Sequence, residues 1–347
     1  MKLSRFMVTL LLAILMTLII ANSIASAKPL GDVQPAPDHV TLSTPNADSS
    51  LPPLTYAWVI TANVPVYANP GDAAPVRNLG TGFLYVSIMG KPIVQGDQTW
   101  YQINPGEYIN AASVLLIRPS SFHGLTLDAT PDKPFGWLVY AVRPSISAGT
   151  VPTRGVTALT RYTPVTVFEE TKVGELTWYR IGDNQWVDQK KVGLVMPAPR
   201  PEGVGPSDKW IDVNTFEQTL AAYEGDRMVY ATLISSGLPQ WETDTGLFRV
   251  FAKVKLAKMS GREGLADYYF LEDVPWATYF NKDMALHAAY WHDKFGFKHS
   301  HGCVNLPPVD AQWIFDWTTP APGDSNWTVV PDRANNDIGT WVWVHAG

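Results

Sequence analysis

His299-Ser300-His301-Gly302-Cys303-Val304-Asn305 holds the only cysteine of the chain, set between two histidines, a glycine and an asparagine, and a further histidine, His287, precedes it. One thiol in 347 residues cannot close a disulfide within the chain, so it needs another explanation, and reactivity is the first to weigh. If the segment is extended, His299, His301 and Cys303 project to one face and Ser300 and Gly302 to the other. Two chemistries use such residues. A zinc site draws on His and Cys, with His287 or His292 completing the set, but one thiolate with neither Cys-x-x-Cys nor His-Glu-x-x-His falls short of the usual ligand pattern, so neither metal nor another cofactor is expected. Nucleophilic catalysis fits better: a histidine in reach lowers the thiol pKa by forming an ion pair and then protonates a leaving amine. Gly302 lets backbone N–H groups approach a developing oxyanion. An inert buried cysteine is the bland alternative, and it leaves this density of functional residue types as coincidence.

The rest of the chain sets the context. Lys2 and Arg5, the apolar run Phe6 to Ile20 and the small residues Ala25-Ser26-Ala27 make residues 1–27 read as a secretory signal peptide, which puts the protein outside the cytoplasm, in periplasm, cell wall or medium. The run is shorter than the roughly twenty residues of a membrane-spanning helix, so no stable membrane insertion is expected after cleavage. The formal net charge of -6, with no basic cluster, excludes nucleic acid as a natural partner. Residues 28–55 are proline-rich and poor in large apolar side chains, and read as a flexible tether.

From Tyr56 the texture is β. Thr99-Trp100-Tyr101-Gln102-Ile103 recurs as Thr177-Trp178-Tyr179-Arg180-Ile181, and Trp58-Val59-Ile60 as Trp137-Leu138-Val139, which predicts two tandem copies of one β module over 56–120 and 134–196. They resemble bacterial Src-homology-3-like modules, which implies small barrels and wall glycan as a partner. Trp100, Tyr101, Trp178 and Tyr179 are the candidate contacts, but alternation along a strand sends at least one of each pair into the core, and a structural role for both pairs is the stronger reading.

A proline- and glycine-rich linker, 197–206, leads to a last domain over 207–347. Its strands are expected at Lys209–Val213, Gln218–Tyr223, Met228–Ser235, Leu247–Val254 and Met284–Trp291, with a short helix from Val309 to Trp317. His287, the spacer with Trp291-His292 and Phe295-Gly296, and Ser300-His301-Gly302-Cys303-Val304-Asn305 together resemble the signature of the L,D-transpeptidase family, the YkuD-type catalytic domain. The resemblance covers about 209–320, with Thr243-Asp244-Thr245-Gly246 where the family often has Thr-Pro-x-Gly and Ala288 where glycine or serine is common.

The resemblance implies a mainly β protein, two barrel-like modules followed by a β-sandwich with a short helix, acting on peptidoglycan stem peptides. It implies Cys303 as nucleophile, His287 as general base and acid oriented by the Ala288 carbonyl, and the N–H groups of Gly302 and Cys303 as oxyanion hole. His301, also a possible proton carrier, and Ser300 would shape the pocket, Asn305 would fix the turn or touch substrate, and Tyr290 and Trp291 are candidate substrate contacts; Tyr268, Tyr269, Phe270, Trp276 and Tyr290 could line the groove, but aromatic runs in a β domain are more often core. His292 and His299 fall at variable positions and are expected at the rim. The implied reaction is attack on a stem tetrapeptide, release of D-alanine and transfer to an amine of a neighbouring stem. Water as acceptor would make the enzyme an L,D-carboxypeptidase, a wall-protein amine would make it an attachment enzyme, and an inactive domain would leave only a wall-binding protein.

Overall fold

The computed structural model describes residues 54–347 apart from 153, 156, 324–326 and 336, together with a two-residue strand at 40–41. The signal segment 1–27 lies outside the described residues, as does the tether except for that strand and its last two residues. Val40–Thr41 (β1) pairs with residues 126–127, so the segment read as a tether touches the body of the protein at this point.

The first β segment comprises β2 (Thr55–Val59), β3 (Pro65–Val66), β4 (Arg77–Asn78), β5 (Phe83–Gln95), β6 (Gln98–Asn104), β7 (Glu107–Asn110) and β8 (Val114–Leu116). Its core gathers Ala57, Val59, Val86, Ile103, Ile109 and Val114. After β9 (Leu125–Leu127), a second segment comprises β10 (Phe135–Leu138), β11 (Pro164–Thr166), β12 (Glu169–Val173), β13 (Leu176–Gly182), β14 (Gln185–Asp188) and β15 (Val192–Val195), around Leu138, Val165, Ile181, Val187 and Val192. Ile103, Ile109 and Val114 stand in the first core where Ile181, Val187 and Val192 stand in the second. Asn110 and Asp188 each cap a short 3-10 turn, accepting from the N–H groups of Ala112 and Lys190. Tyr101 and Tyr179 pack against these cores and Trp100 is buried beside Tyr67, so three of the four candidate glycan contacts are occupied by packing.

The last domain is built from β16 (Lys209–Asn214), β17 (Thr219–Glu224), β18 (Arg227–Leu233), β19 (Gly246–Arg249), β20 (Ala252–Gly261), β21 (Tyr269–Asn281), β22 (Met284–Ala288), β23 (Val304–Leu306), α1 (Pro308–Trp317), β24 (Thr328–Val329) and β25 (Trp341–His345). One sheet runs β1-β9-β18-β17-β16-β25-β19 and a second runs β23-β22-β21-β5-β2-β8, with β20 on the other side of β21. Ile211, Val213 and Tyr230 of the first sheet meet Phe280, Leu286 and Val304 of the second, and α1 inserts Ile314 and Phe315 between them. The opposite face of the first sheet presents Trp210, Tyr223 and Leu233 to Phe135 and Trp137 of the second β segment. Both faces of β16 to β18 are therefore covered, which is why these strands read as nearly continuous apolar runs rather than alternating ones. The linker joins this packing: Ala198 N–H donates to Tyr223 Oη at 2.9 Å, and Val204 is buried.

Three of the differences from the expected boundaries have a clear physical reason. Gln218 has φ +58°, so the strand starts one residue later, and its side-chain amide instead bonds Thr215 and Ser236. The apolar run Leu247–Val254 is two strands, because Val250 N–H goes to Thr340 and Phe251 N–H to Tyr279 as the chain crosses between sheets. The strand carrying His287 ends at Ala288, and Tyr290 and Trp291 lie beyond it. Among the described residues no helix is long and apolar enough to cross a membrane.

Asp310, in the first turn of α1, ties the pieces together. Fully buried, it accepts from Gly124 N–H at 2.9 and 3.1 Å, from Tyr230 Oη at 2.7 Å and from the Thr232 hydroxyl. Burial pushes its carboxyl up to about 6 in spite of these donors. Asp310→Ala removes the acceptor of Gly124 N–H and of the Tyr230 hydroxyl, leaves Thr232 only the Leu233 carbonyl, and is expected to cost about 3 kcal/mol, read as a lower urea midpoint with an unchanged slope.

Candidate active site

β22 and β23 are neighbours in parallel, with Leu286 opposite Val304 and His287 opposite Asn305. Residues in register share a face, so His287 and Asn305 point the same way. Cys303, two positions before Asn305, enters from the end of the same row as a diagonal neighbour of His287. Both residues line one groove of about 480 Å³. The segment 299–303 is not a strand, however. Gly302 has φ +121°, a value that disfavours any side chain, and a Cβ there would stand 3.3 Å from Met284 Cε. The turn replaces the extended geometry, yet His299 and His301 still line the same groove as Cys303.

His287 is buried, and its Nδ1 lies 3.1 Å from the Ala288 carbonyl. That carbonyl only accepts, so the ring proton sits on Nδ1 and Nε2 is left as the basic nitrogen. Burial lowers the imidazole to about 4, with the Ala288 hydrogen bond opposing it. Cys303 keeps some solvent contact on the groove floor, yet protein atoms crowd it closely enough that desolvation pushes the thiol up to about 11, reinforced by Asp283 and opposed by a backbone hydrogen bond at Ala285. Its Sγ lies 3.7 Å from the Asp283 carbonyl. Burial therefore disfavours both members of the ion pair that the sequence reading invoked, the imidazolium and the thiolate alike. The physical reason is that both charged forms lose hydration in the same place.

The other site residues divide between groove and scaffold. His301 is exposed and stands at the rim between Trp241, at 4.0 Å between ring centroids, and Tyr269, at 4.8 Å. Trp291 also lines the groove. Ser300 is a staple: its hydroxyl donates to the Cys303 carbonyl at 2.5 Å and accepts from Gly302 N–H at 3.1 Å. That bond engages the Gly302 N–H, one of the two groups expected as oxyanion donors. Asn305 is buried with its amide 2.9 Å from His292 Nε2, so it fixes the strand. Ala288 is buried and acts through its carbonyl alone.

Tyr290 does not line the groove. Its ring stacks on Tyr56 of the first β segment at 3.6 Å, and its hydroxyl donates to Glu272 O. Trp276 is in the sandwich core, and Tyr268 and Phe270 pack against the first β segment, leaving Tyr269 as the groove residue of that run. His292 packs 4.5 Å from His299 and is half-buried, more interior than a rim position. Asp244, where the family often has proline, accepts from Asn281 at 2.9 Å and Lys282 at 3.0 Å, which anchors the turn leading to Asp283. Trp241, Tyr279, Met284 and Phe83 line the groove as well and carry no sequence signal that marks them. Among the described residues no group of three or more His, Cys, Asp or Glu is arranged to hold a metal ion.

Comparison with known proteins adds to this geometry. Residues 208–344 match the model of the YkuD family, the L,D-transpeptidase catalytic domain. A Bacillus subtilis relative, YciB, provisionally described as an L,D-transpeptidase, is 31% identical over 122 residues, spanning 31% of this chain and 59% of its own length. The chain thus covers less than two thirds of that relative. Among solved structures, an L,D-transpeptidase from Mycobacterium smegmatis aligns over 66% of this chain and 93% of its own with 17% identity and a TM-score of 0.34. The catalytic domain of an E. faecium L,D-transpeptidase aligns over 40% of this chain and 98% of its own with 24% identity and a TM-score of 0.30.

A neutral thiol makes a direct forecast. Alkylation of Cys303 by iodoacetamide, followed by intact mass, is expected to be slow at neutral pH and to rise toward pH 11; a rate already at its plateau at neutral pH would mean a preformed thiolate.

Proposed function

We propose that this chain is an exported cysteine L,D-transpeptidase that cross-links peptidoglycan stems. The observation that carries the reading is the meeting of His287 and Cys303 in one groove, through the β22–β23 pairing, inside the region matched by the family model. The donor is a stem tetrapeptide whose third-residue carbonyl lies over Cys303.

In the first half-reaction the Cys303 thiol passes its proton to His287 Nε2 as Sγ attacks the carbonyl carbon. The thiol is neutral beforehand, so the proton moves with the attack and the imidazolium exists only while the oxyanion does, each offsetting the other's burial. The Cys303 N–H is the donor we assign to the oxyanion, Gly302 N–H being engaged by Ser300. Collapse of the tetrahedral adduct breaks the C–N bond, His287 returns the proton to the departing amine, and D-alanine leaves with a thioester on Cys303.

In the second half-reaction an amine of a neighbouring stem attacks the thioester and gives its proton to His287. An amide forms and the thiol is restored. The groove is lined largely by aromatic and aliphatic side chains, among them Trp241, Tyr269, Tyr279 and Trp291, which limits water at the thioester and favours the amine.

The test is mass spectrometry of the products from a purified tetrapeptide donor with and without a stem acceptor amine. The expected result is D-alanine release and a cross-linked dimer, both lost in Cys303→Ala. Tripeptide as the sole product would make the protein a carboxypeptidase, and no turnover together with no adduct on Cys303 would end the enzyme reading.

A further inference from the structure

One titratable side chain in contact with the site takes no part in the proton transfers between Cys303 and His287. His292 is half-buried, packs edge-on against His299 at 4.5 Å between ring centroids, and lies 5.1 Å from the Phe295 ring. Both of its nitrogens are engaged: Nδ1 accepts from Lys294 N–H at 3.1 Å, and Nε2 lies 2.9 Å from the side-chain amide of Asn305. A backbone N–H only donates, so Nδ1 is the bare nitrogen and the proton of the neutral ring is on Nε2. Burial lowers the imidazole to about 2, with His299 adding to the effect, so the ring stays neutral at working pH.

That tautomer decides which way Asn305 faces. Nε2–H donates, so the atom of Asn305 turned toward it is the carbonyl Oδ1, and the NH2 group takes the other amide position. Asn305 is in register with His287, two positions from Cys303, and lines the groove with both. Its second amide position bonds no other described residue and is not sealed in the interior, which leaves the groove as the space it meets. In the opposite orientation a carbonyl oxygen would point there and repel a developing oxyanion. The turn carrying His292 is held from outside the catalytic domain: Arg161 of the second β segment donates to the carbonyls of Asp293 at 2.7 Å and Phe295 at 3.0 Å, and Tyr162 Oη donates to Asp293 Oδ1 at 2.8 Å.

We infer that His292 is a positioning residue for the first half-reaction: it holds Asn305 with its NH2 group toward the groove, where that group is a second donor to the oxyanion beside the Cys303 N–H. Two observations select this role. Gly302 N–H is taken by Ser300, so the backbone alone leaves the oxyanion one donor where two are needed for strong stabilisation. A neutral imidazole also carries an acceptor and a donor on opposite edges, which is what Lys294 N–H on one side and Asn305 Oδ1 on the other require. No proton moves in this arrangement: His292 keeps its Nε2 proton throughout, and proton transfer stays between Cys303 and His287. The inference rests on the transpeptidase reading and deepens it. It also gives the second β segment a part in the site, since Arg161 and Tyr162 hold the turn that carries His292.

Two measurements on the full-length protein test it. Long-range proton–nitrogen NMR correlation of histidine-labelled protein is expected to show His292 protonated at Nε2 and bare at Nδ1, unchanged across the neutral range, with its signals assigned by their loss in His292→Gln. Single-turnover acylation of Cys303 by the tetrapeptide is expected to slow about 100-fold in Asn305→Ala and about tenfold in His292→Ala, in the saturating rate constant more than in the half-saturating concentration. His292→Gln, which still donates to Asn305, retains most of the rate, and the double variant is no slower than Asn305→Ala because His292 acts only through Asn305. Circular dichroism melting shows which variants are folded; if Asn305→Ala is not, the tautomer and the contrast of His292→Ala with His292→Gln decide. A proton on Nδ1, parent-rate acylation by folded His292→Ala, no recovery in His292→Gln, or additive losses in the double variant would overturn the assignment. If the parent itself is not acylated, the transpeptidase reading fails and the inference with it; an acylated parent matched by folded His292→Ala sinks only the positioning role.

Discussion

The parallel pairing of β22 with β23 is the constraint on which the site depends. It puts His287 beside Asn305, brings Cys303 to the same row, and lets the Ala288 carbonyl fix the imidazole so that Nε2 faces the groove. A one-residue slip in this register would turn His287 into the sandwich core, where Leu286 and Ala288 now sit. The segments on either side hold the register. Asn305 exchanges backbone hydrogen bonds with Ser235, and α1 follows β23 directly and packs into the core through Ile314 and Phe315.

Burial at that pairing sets the chemistry. A preformed thiolate–imidazolium pair needs hydration or strong local partners for both charges, and the groove floor supplies little beyond backbone groups. In the mechanism we propose, the pair becomes charged only while an oxyanion is present to be matched, so the proton moves from Cys303 to His287 in concert with the attack.

Much of this was legible in the sequence, and what was not has identifiable causes. Cys303 stands out by residue type as the candidate nucleophile, and His287 is marked as its candidate partner by the family resemblance. The helix after Pro307 and the strand at Lys209–Val213 follow from periodicity. The strand over Leu247–Val254 was misread because an apolar run does not reveal a change of sheet, and the change is made by backbone bonds of Val250 and Phe251. Whether Tyr290 lines the groove or packs in a core is not legible in the sequence, because its stacking partner, Tyr56, comes from the far end of the described structure. The desolvation that opposes an ion pair at His287 and Cys303 is not legible in the sequence, which gives proximity and not burial. Phe83 could not be assigned at all, since its approach to the groove depends on the inter-segment pairing of β5 with β21.

The two halves of the chain are in this way one structure around the groove: the first β segment extends the sheet and the second covers the opposite sheet. The central claim is that Cys303 works with the buried His287 and not with the nearer His301 of the rim. Single-turnover acylation of Cys303 by a carbapenem, followed by intact mass at neutral pH, tests it most directly. The account predicts that His287→Ala slows acylation about 100- to 10,000-fold while His301→Ala retains most of the rate. Loss of acylation in His301→Ala with His287→Ala still reacting at near the parent rate would contradict it.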